Sequence, residues 1–141
     1  MPGNADQDLE LWQLLASVQR RVSRDVNRIL QEGPEYRAIW IDVLIALAET
    51  PRGRDQSMDL ARKLGDRRGL TVLLNQMAGA GLIRRQPPDG RTLLVILTPR
   101  GRRELRRARP RYREAIRQTA LANLTAAERR ALQRLLRKVN G

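Results

Sequence analysis

The side chains with the most defined chemistry in this sequence are a group of hydrogen-bonding residues between positions 67 and 76. Arg67 and Arg68 are followed at helical spacing by Thr71, Asn75 and Gln76. Guanidinium and carboxamide groups on one helix face can form paired hydrogen bonds with base edges in the major groove of duplex DNA. The stretch is therefore predicted to be a DNA-contacting helix.

The rest of this predicted helix and the segment before it are typical of a two-helix unit. Ser57 is the predicted N-cap of a short first helix, Gly65 its left-handed end, and Asp66 the cap of the second helix. Two helices joined by a short glycine turn are the helix-turn-helix unit, whose second helix enters the major groove. The apolar positions expected on the inner face of the second helix are Leu70, Leu73, Leu74 and Met77.

Two apolar strands follow the second helix and enclose a tip rich in proline, glycine and arginine. Their predicted ranges are Leu82–Gln86 and Thr92–Leu97. A hairpin at this place makes the unit a winged helix-turn-helix. The segment Thr50–Gln56, which precedes the first helix of the unit, contains a proline and a glycine and is predicted to be a loop.

The chain contains no cysteine and no histidine. This excludes disulfides, thiol redox sensing, the usual transition-metal sites and both Ser–His–Asp and Cys–His catalysis. Because no glycine-rich phosphate loop is present either, we expect no enzyme activity and no cofactor. No apolar run is long enough to span a membrane, and the acidic start MPGNADQDLE is unlike a signal peptide, so a cytoplasmic protein is expected.

The net charge of +13 is unevenly distributed along the 141 residues. Residues 1–50 hold five arginines against eight acids, residues 51–110 hold fifteen basic residues against five acids, and residues 111–141 hold eight against two. A GC-rich genome explains an excess of arginine, but it does not explain why the first third is acidic. A middle segment that binds a polyanion explains this uneven distribution of charge.

Amphipathic helices are predicted at both ends of the chain. The first covers residues 8–31, and the last begins at a Thr125–Glu128 capping box. Apolar stripes at both ends indicate an interface shared by two copies of the chain around a two-fold axis. The expected interface residues are Leu11, Leu14, Val18, Leu132, Leu135, Leu136 and Val139.

The expected fold is mainly α with a small β-wing, a winged helix-turn-helix with N- and C-terminal dimerisation helices. Residues 1–141 are predicted to be one domain, with a DNA-binding lobe over 35–101 and dimerisation helices over 8–31 and 102–141. A helix over 35–49 supports the lobe. A later arginine-rich helix is capped by Thr98 and contains Pro110, which is expected to kink or split it.

Three motifs lie in register along the lobe. The sequence over Leu60–Gly65 reads L-A-x-x-L-G, that over Gly81–Arg85 reads G-L-[VI]-x-R, and that over Asp89–Gly101 reads D-x-R-x3-V-x-L-T-x2-G. In these motifs and in its helix order the chain resembles the MarR family of bacterial and archaeal winged-helix regulators.

The resemblance implies a homodimer that binds a pseudo-palindromic operator in double-stranded DNA, usually as a repressor. It also implies that Arg91 enters the minor groove and that Asp89 braces Arg91 or a neighbouring basic group. A further implication is a pocket between the dimer helices and the DNA-binding lobe that accepts phenolic or other aromatic anions.

A regulator without cysteine or histidine can be switched by a bound molecule or not at all. The pocket is expected where the first, second and arginine-rich helices converge, and a small aromatic carboxylate or phenolate is the expected ligand. The alternative is that both tryptophans are core residues. The pocket residues are expected to be Trp12, Leu15, Gln19, Trp40, Leu44 and Tyr112.

A second class of function remains open at this point. A basic architectural or RNA-associated winged-helix protein would have neither operator nor ligand. The apolar end helices favour the dimeric regulator, because an architectural monomer does not need them. Two tryptophans and two tyrosines also offer few stacking surfaces for single-stranded nucleic acid.

Overall fold

The computed structural model of the protein describes residues 5–31, 37–65, 69–86 and 94–141. Within these ranges the chain forms six α-helices and one three-stranded antiparallel sheet, which confirms the predicted fold class. The helices are α1 (Ala5–Gln31), α2 (Ala38–Ala48), α3 (Ser57–Leu64), α4 (Leu70–Gly79), α5 (Pro99–Thr119) and α6 (Ala126–Asn140). The strands are β1 (Arg54–Gln56), β2 (Ile83–Gln86) and β3 (Leu94–Leu97), in the spatial order β1-β3-β2.

Helix α2 lies at the centre of the hydrophobic core and contacts α1, α3, α5 and the sheet. It is apolar around most of its circumference, as expected for a buried helix. Its N-terminus is capped by another helix, because the Oδ1 of Asn27 on α1 accepts a hydrogen bond from the backbone N–H of Ala38 at 2.9 Å. The fully buried residues of α2 are Ile41, Val43, Leu44 and Leu47.

Helix α1 begins at Ala5, three residues before its predicted start at residue 8, and ends as predicted at Gln31. Only its second half enters the core, where Val26 and Leu30 are buried. Residues 5–15 are all exposed. The long apolar stripe of α1 therefore packs against this chain over only part of its length.

The prediction of a loop over Thr50–Gln56 is wrong for most of that segment. Pro51–Gly53 form a short 3-10 helix, and Arg54–Gln56 form strand β1, which pairs with β3. The strand has three polar residues, so it carries no apolar alternation. It forms because backbone groups along the edge of β3 need hydrogen-bond partners.

The start of α3 also differs from the prediction. Ser57 is the first residue of the helix rather than its cap, and Gln56 occupies the cap position without a side-chain hydrogen bond. The reason is that the chain is still extended in β1 up to Gln56. Gly65 ends α3 with a φ of 74°, which confirms the predicted left-handed residue.

The described part of α4 begins at Leu70, directly after Gly69, whose φ of 71° is left-handed. The predicted cap Asp66 lies outside the described residues. The C-terminal end of α4 leads through Gly81 into β2. The buried side chains of α4 are Leu70, Leu74 and Met77, and Leu73 is partly buried.

Helix α5 begins with the predicted cap. The Oγ1 of Thr98 accepts a hydrogen bond from the N–H of Gly101 at 2.9 Å, and Pro99 occupies the first turn. Of the two predicted effects of Pro110, a kink or a split, the split does not occur, because α5 continues from Pro99 to Thr119. Pro110 lies on the exposed side of α5, where water can bind the backbone carbonyl that loses its partner.

Helix α6 begins with the predicted capping box, in which Thr125 and Glu128 exchange hydrogen bonds of 2.9 Å and 3.1 Å. No residue of α6 is buried in this chain. Across the described ranges, no helix has both the length and the apolar character needed to cross a membrane.

A first prediction concerns the contact between α5 and the turn before β2. A β-carbon at Gly101 would overlap the carbonyl oxygen of Leu82 and lie 2.7 Å from the Cδ1 of Leu97. We expect Gly101→Ala to lower the free energy of unfolding by about 1–3 kcal/mol in urea denaturation. Gly79→Ala is the control, because no atom lies within 4 Å of the added carbon. Equal stability of both variants would contradict the close approach.

Candidate nucleic-acid interface

The outer face of α4 carries the described members of the predicted DNA-binding set. Thr71, Asn75 and Gln76 are all exposed, whereas the opposite side of the helix is buried in the core. Val72 lies between them and is 60% exposed. This face of α4 therefore presents one hydroxyl, two carboxamides and one small apolar side chain to the solvent.

The remaining members of the predicted set are Arg67, Arg68, Asp89 and Arg91. All four lie outside the described residues, so their contribution to the interface stays a prediction. The strands on either side of the wing tip are described and pair in register, with Arg85 opposite Val95 and Gln86 opposite Leu94.

The structure adds one residue that the sequence reasoning missed. The Nη1 of Arg85 on β2 donates a hydrogen bond to the Oδ1 of Asn75 on α4. Arg85 is half-buried and shares the inner face of β2 with the buried Ile83. Its position two residues after an inward-facing isoleucine was the available signal, because side chains alternate along a strand.

Two further arginines lie on the outer face of the sheet. Arg54 on β1 and Arg84 on β2 both pair with Ile96 of the central strand, so the three side chains form one row across the sheet. Both arginines are exposed and Ile96 is half-buried. Directly paired residues point to the same face, so this row places two positive charges beside an apolar centre.

The arginine-rich helix α5 uses only part of its positive charge within the chain. Arg107 bonds Glu104 at 2.6 Å, Arg117 bonds Glu114 at 2.5 Å, and Arg111 donates to the backbone carbonyl of Ile29 at 2.9 Å. Other arginines of α5 form no ion pair with a described residue. Those on one stripe of the helix, at spacings of four, three and four, are Arg102, Arg106, Arg109 and Arg113.

Apolar side chains remain exposed on both terminal helices. On α1, Leu11, Leu14 and Val18 are all exposed. On α6, the exposed fraction rises from 39% at Leu132 to 75% at Val139. The predicted interface residues thus remain accessible in the single chain, and their role in a dimer stays a prediction. The remaining predicted interface residues on α6, which are also exposed, are Leu135 and Leu136.

The six predicted pocket residues have very different environments. Trp40 and Tyr112 pack against the hydrophobic core that contains the fully buried Leu44, whereas Trp12 is 70% exposed on α1. The structure thus brings three of the six together and leaves the other three on the exposed half of α1. Those three are Trp12, Leu15 and Gln19.

Two clefts between described residues have other linings. One lies between α3 and α4 and ends at Arg85; its other lining residues are Ser57, Met58, Ala61, Leu70, Thr71 and Leu74. The other lies between α2 and the end of α3; its lining residues are Asp42, Ile45, Ala46, Glu49, Lys63 and Leu64. Neither cleft includes any of the six predicted pocket residues, so that pocket stays a prediction.

Tyr112 forms a polar contact that fixes α5 to α2. Its hydroxyl donates a hydrogen bond to the Oδ1 of Asp42 at 2.6 Å. Burial raises the pKa of Asp42 above its usual value, and the hydrogen bond from Tyr112 partly offsets the rise. Burial also raises the pKa of Tyr112, and the neighbouring carboxylate raises it further. Tyr112 is therefore a neutral donor at physiological pH.

The fold of this chain is shared with solved structures of known proteins. No family model and no curated protein matches the chain. Among solved structures, it is similar to a MarR family transcriptional regulator from Streptomyces coelicolor in complex with DNA, with a TM-score of 0.80 and 26% identity over 99% of this chain and 89% of that chain. It is also similar to a mutant MarR from E. coli complexed with operator DNA, with a TM-score of 0.76 and 25% identity over 97% and 99%.

A third solved structure shares the fold at lower identity. It is that of Bordetella bronchiseptica BpsR, whose DNA binding is regulated by 6-hydroxynicotinic acid. The TM-score is 0.72 and the identity 24%, over 89% of this chain and 92% of that chain. This likeness shows the fold alone.

The two-helix unit α3–α4, the hairpin beside it and the exposed polar face of α4 define a winged helix-turn-helix protein. Its structural neighbours across the whole chain are transcriptional regulators and not enzymes. The chain has the MarR-like winged helix-turn-helix fold of these DNA-binding regulators.

A second prediction concerns the Asp42–Tyr112 contact. Tyr112→Phe leaves a half-buried carboxylate without this donor, and we expect a loss of roughly 0.5–1.5 kcal/mol in the free energy of unfolding at pH 7. Because the folded pKa of Asp42 is raised, its ionisation costs stability as the pH rises through that pKa. Tyr112→Phe raises the pKa of Asp42 in the folded protein further. The loss in the free energy of unfolding should therefore shrink as the pH falls towards the usual pKa of an aspartate.

Urea denaturation of both proteins at neutral and acidic pH measures this change. In an Asp42→Asn background, which cannot ionise, the effect of Tyr112→Phe should not depend on pH. The same loss at both pH values in the native background would contradict the assigned role of the carboxylate.

Proposed function

We propose that this regulator is a homodimer, that α1 and α6 form its interface, and that it represses transcription by covering a pseudo-palindromic operator. The observation that carries the proposal is the exposure of the apolar stripe on α6, a fifteen-residue helix with no buried residue. A helix with one apolar face is stable when that face packs on something. Contiguous exposed apolar surface usually marks an interaction site.

The partner for this surface is a second copy of the same chain. The N-terminal half of α1 offers a matching exposed stripe, and self-complementary apolar patches associate around a two-fold axis. In this arrangement residues 8–31 and 102–141 hold the dimer together, and residues 35–101 form one DNA-binding lobe in each subunit. The proposed interface side chains are Leu11, Leu14, Val18, Leu132, Leu135, Leu136 and Val139.

The proposed operator contacts follow from the exposed face of α4. Thr71, Asn75 and Gln76 contact base edges in the major groove, with Arg67 and Arg68 near the start of the helix. At the wing, Arg91 enters the minor groove and Asp89 braces it. Two lobes related by a two-fold axis contact half-sites about 34 Å apart, and the two-fold symmetry makes the operator pseudo-palindromic.

The third prediction tests the dimer and the operator together. The native protein should sediment as a dimer and prefer one genomic site over bulk DNA by about a thousandfold or more. Leu136→Glu places a charge in the apolar stripe of α6. We expect sedimentation to give a monomer and operator affinity to fall strongly, because the two lobes no longer bind as a unit.

The control is Gln133→Glu, which adds the same charge to α6 outside the apolar stripe. It should leave both the dimer and the operator affinity close to native. If Leu136→Glu remains a dimer, the α6 interface is wrong. If the native protein has no preferred site, the repressor proposal fails and the architectural protein replaces it.

We further propose that a small aromatic anion releases the repressor from its operator. Support comes from Trp12, which is exposed on α1 and free to stack. The proposed lining also includes Leu15, Gln19, Trp40, Leu44 and Tyr112.

The fourth prediction follows from this ligand proposal. Compounds from a panel of aromatic acids that includes 6-hydroxynicotinic acid should change tryptophan fluorescence and weaken operator binding about 5–150-fold. Trp12→Phe should remove most of the fluorescence change and keep the fold, because Trp12 is largely exposed. If no compound changes both signals, the regulator is independent of aromatic anions.

A further inference from the structure

One contact between the sheet and the proposed recognition helix fixes the direction of a carboxamide. Arg85 donates from its Nη1 to the Oδ1 of Asn75. Arg85 is held in place because it lies half-buried on the inner face of β2, between residues paired with the central strand. Asn75 is exposed on the outer face of α4, one turn after Thr71.

The chemistry of arginine determines which end of the carboxamide faces it. A guanidinium has five N–H donors and no acceptor, so only the carbonyl oxygen of Asn75 can accept from it. The ordinary ambiguity between the two ends of an asparagine side chain is therefore absent here. The Nδ2 amino group, with its two donors, is directed away from Arg85.

We infer that Arg85 and Asn75 act as one specificity unit that prefers guanine over adenine at one base pair of each half-site. The inference rests on the proposed role of α4 as the recognition helix. Arg85 is a positioning residue in this unit, and Asn75 is the residue that contacts the base.

The preference follows from the donors and acceptors at the base edges. In the major groove guanine offers two neighbouring acceptors, N7 and O6, whereas adenine offers the acceptor N7 beside the donor N6. An unconstrained asparagine binds adenine with both its oxygen and its nitrogen. Here the oxygen already accepts from a cation, and the positive charge of Arg85 opposes the adenine amino group. The Nδ2 group of Asn75, which only donates, instead matches guanine, whose N7 and O6 both accept.

The fifth prediction is tested by selecting bound operators from a randomised pool with the native protein and with three single variants. The native protein should prefer guanine over adenine about 5- to 150-fold at one symmetric position, the usual discrimination of a paired contact. Arg85→Gln should reduce this ratio towards one, because a glutamine can pair with either end of the carboxamide. Asn75→Asp keeps the bond to Arg85 and removes both donors, so guanine should be lost at that position.

The matched control is Arg84→Gln, which removes the same charge from the neighbouring, exposed position of β2. It should leave the base preference at every position as in the native protein, whatever it does to overall affinity. Thermal unfolding of each variant shows whether it is folded. If Arg85→Gln is unfolded, the result for Asn75→Asp still decides the inference.

The outcomes separate the inference from the proposed function. Adenine at the position sensitive to Asn75→Asp, or equal profiles for Arg85→Gln and Arg84→Gln, would overturn the inference and leave a sequence-specific regulator. A native protein that selects no sequence would overturn the proposed function itself.

Discussion

The first turn of α5 rests on the backbone that joins α4 to β2, and this contact determines the positions of the other functional elements. The Thr98 hydroxyl lies 2.7 Å and 2.9 Å from the carbonyl oxygens of Gly81 and Leu82, which share its one proton, and it accepts from the N–H of Gly101. Such close approach requires a residue without a β-carbon at position 101. Leu82, Thr98 and Gly101 thus connect the end of the proposed recognition helix, both strands of the wing and the long helix α5.

Much of this arrangement could be predicted from the sequence, because helices are encoded locally. The stripes of α1 and α4, the glycine at position 65 and the Thr125–Glu128 box all depend on residues within a few positions of one another. Strand β1 could not be predicted in this way. Its three polar residues form a strand only because β3 offers a free edge, and this is a property of the tertiary fold.

The same limit applies to the candidate sites. Strand alternation places Arg85 on the inner side of β2, but it does not reveal that Asn75 lies opposite. That proximity depends on how α4 packs against the sheet. Likewise, Trp12 and Leu44 both belong to apolar stripes, yet one is exposed and the other is fully buried. A stripe indicates which side of a helix is covered, and the packing of the whole chain decides whether that cover comes from the same subunit.

Three side-chain hydrogen bonds join α1, α2 and α5 at one corner of the molecule. They connect Asn27 to Ala38, Arg111 to Ile29 and Tyr112 to Asp42, at 2.9, 2.9 and 2.6 Å. Each helix is thus bonded to the other two by a polar contact as well as by apolar packing. Residues 5–15 of α1 lie beyond this corner, are exposed, and span about 16 Å at 1.5 Å per residue. These bonds therefore fix the angle at which the exposed half of α1 leaves the rest of the chain.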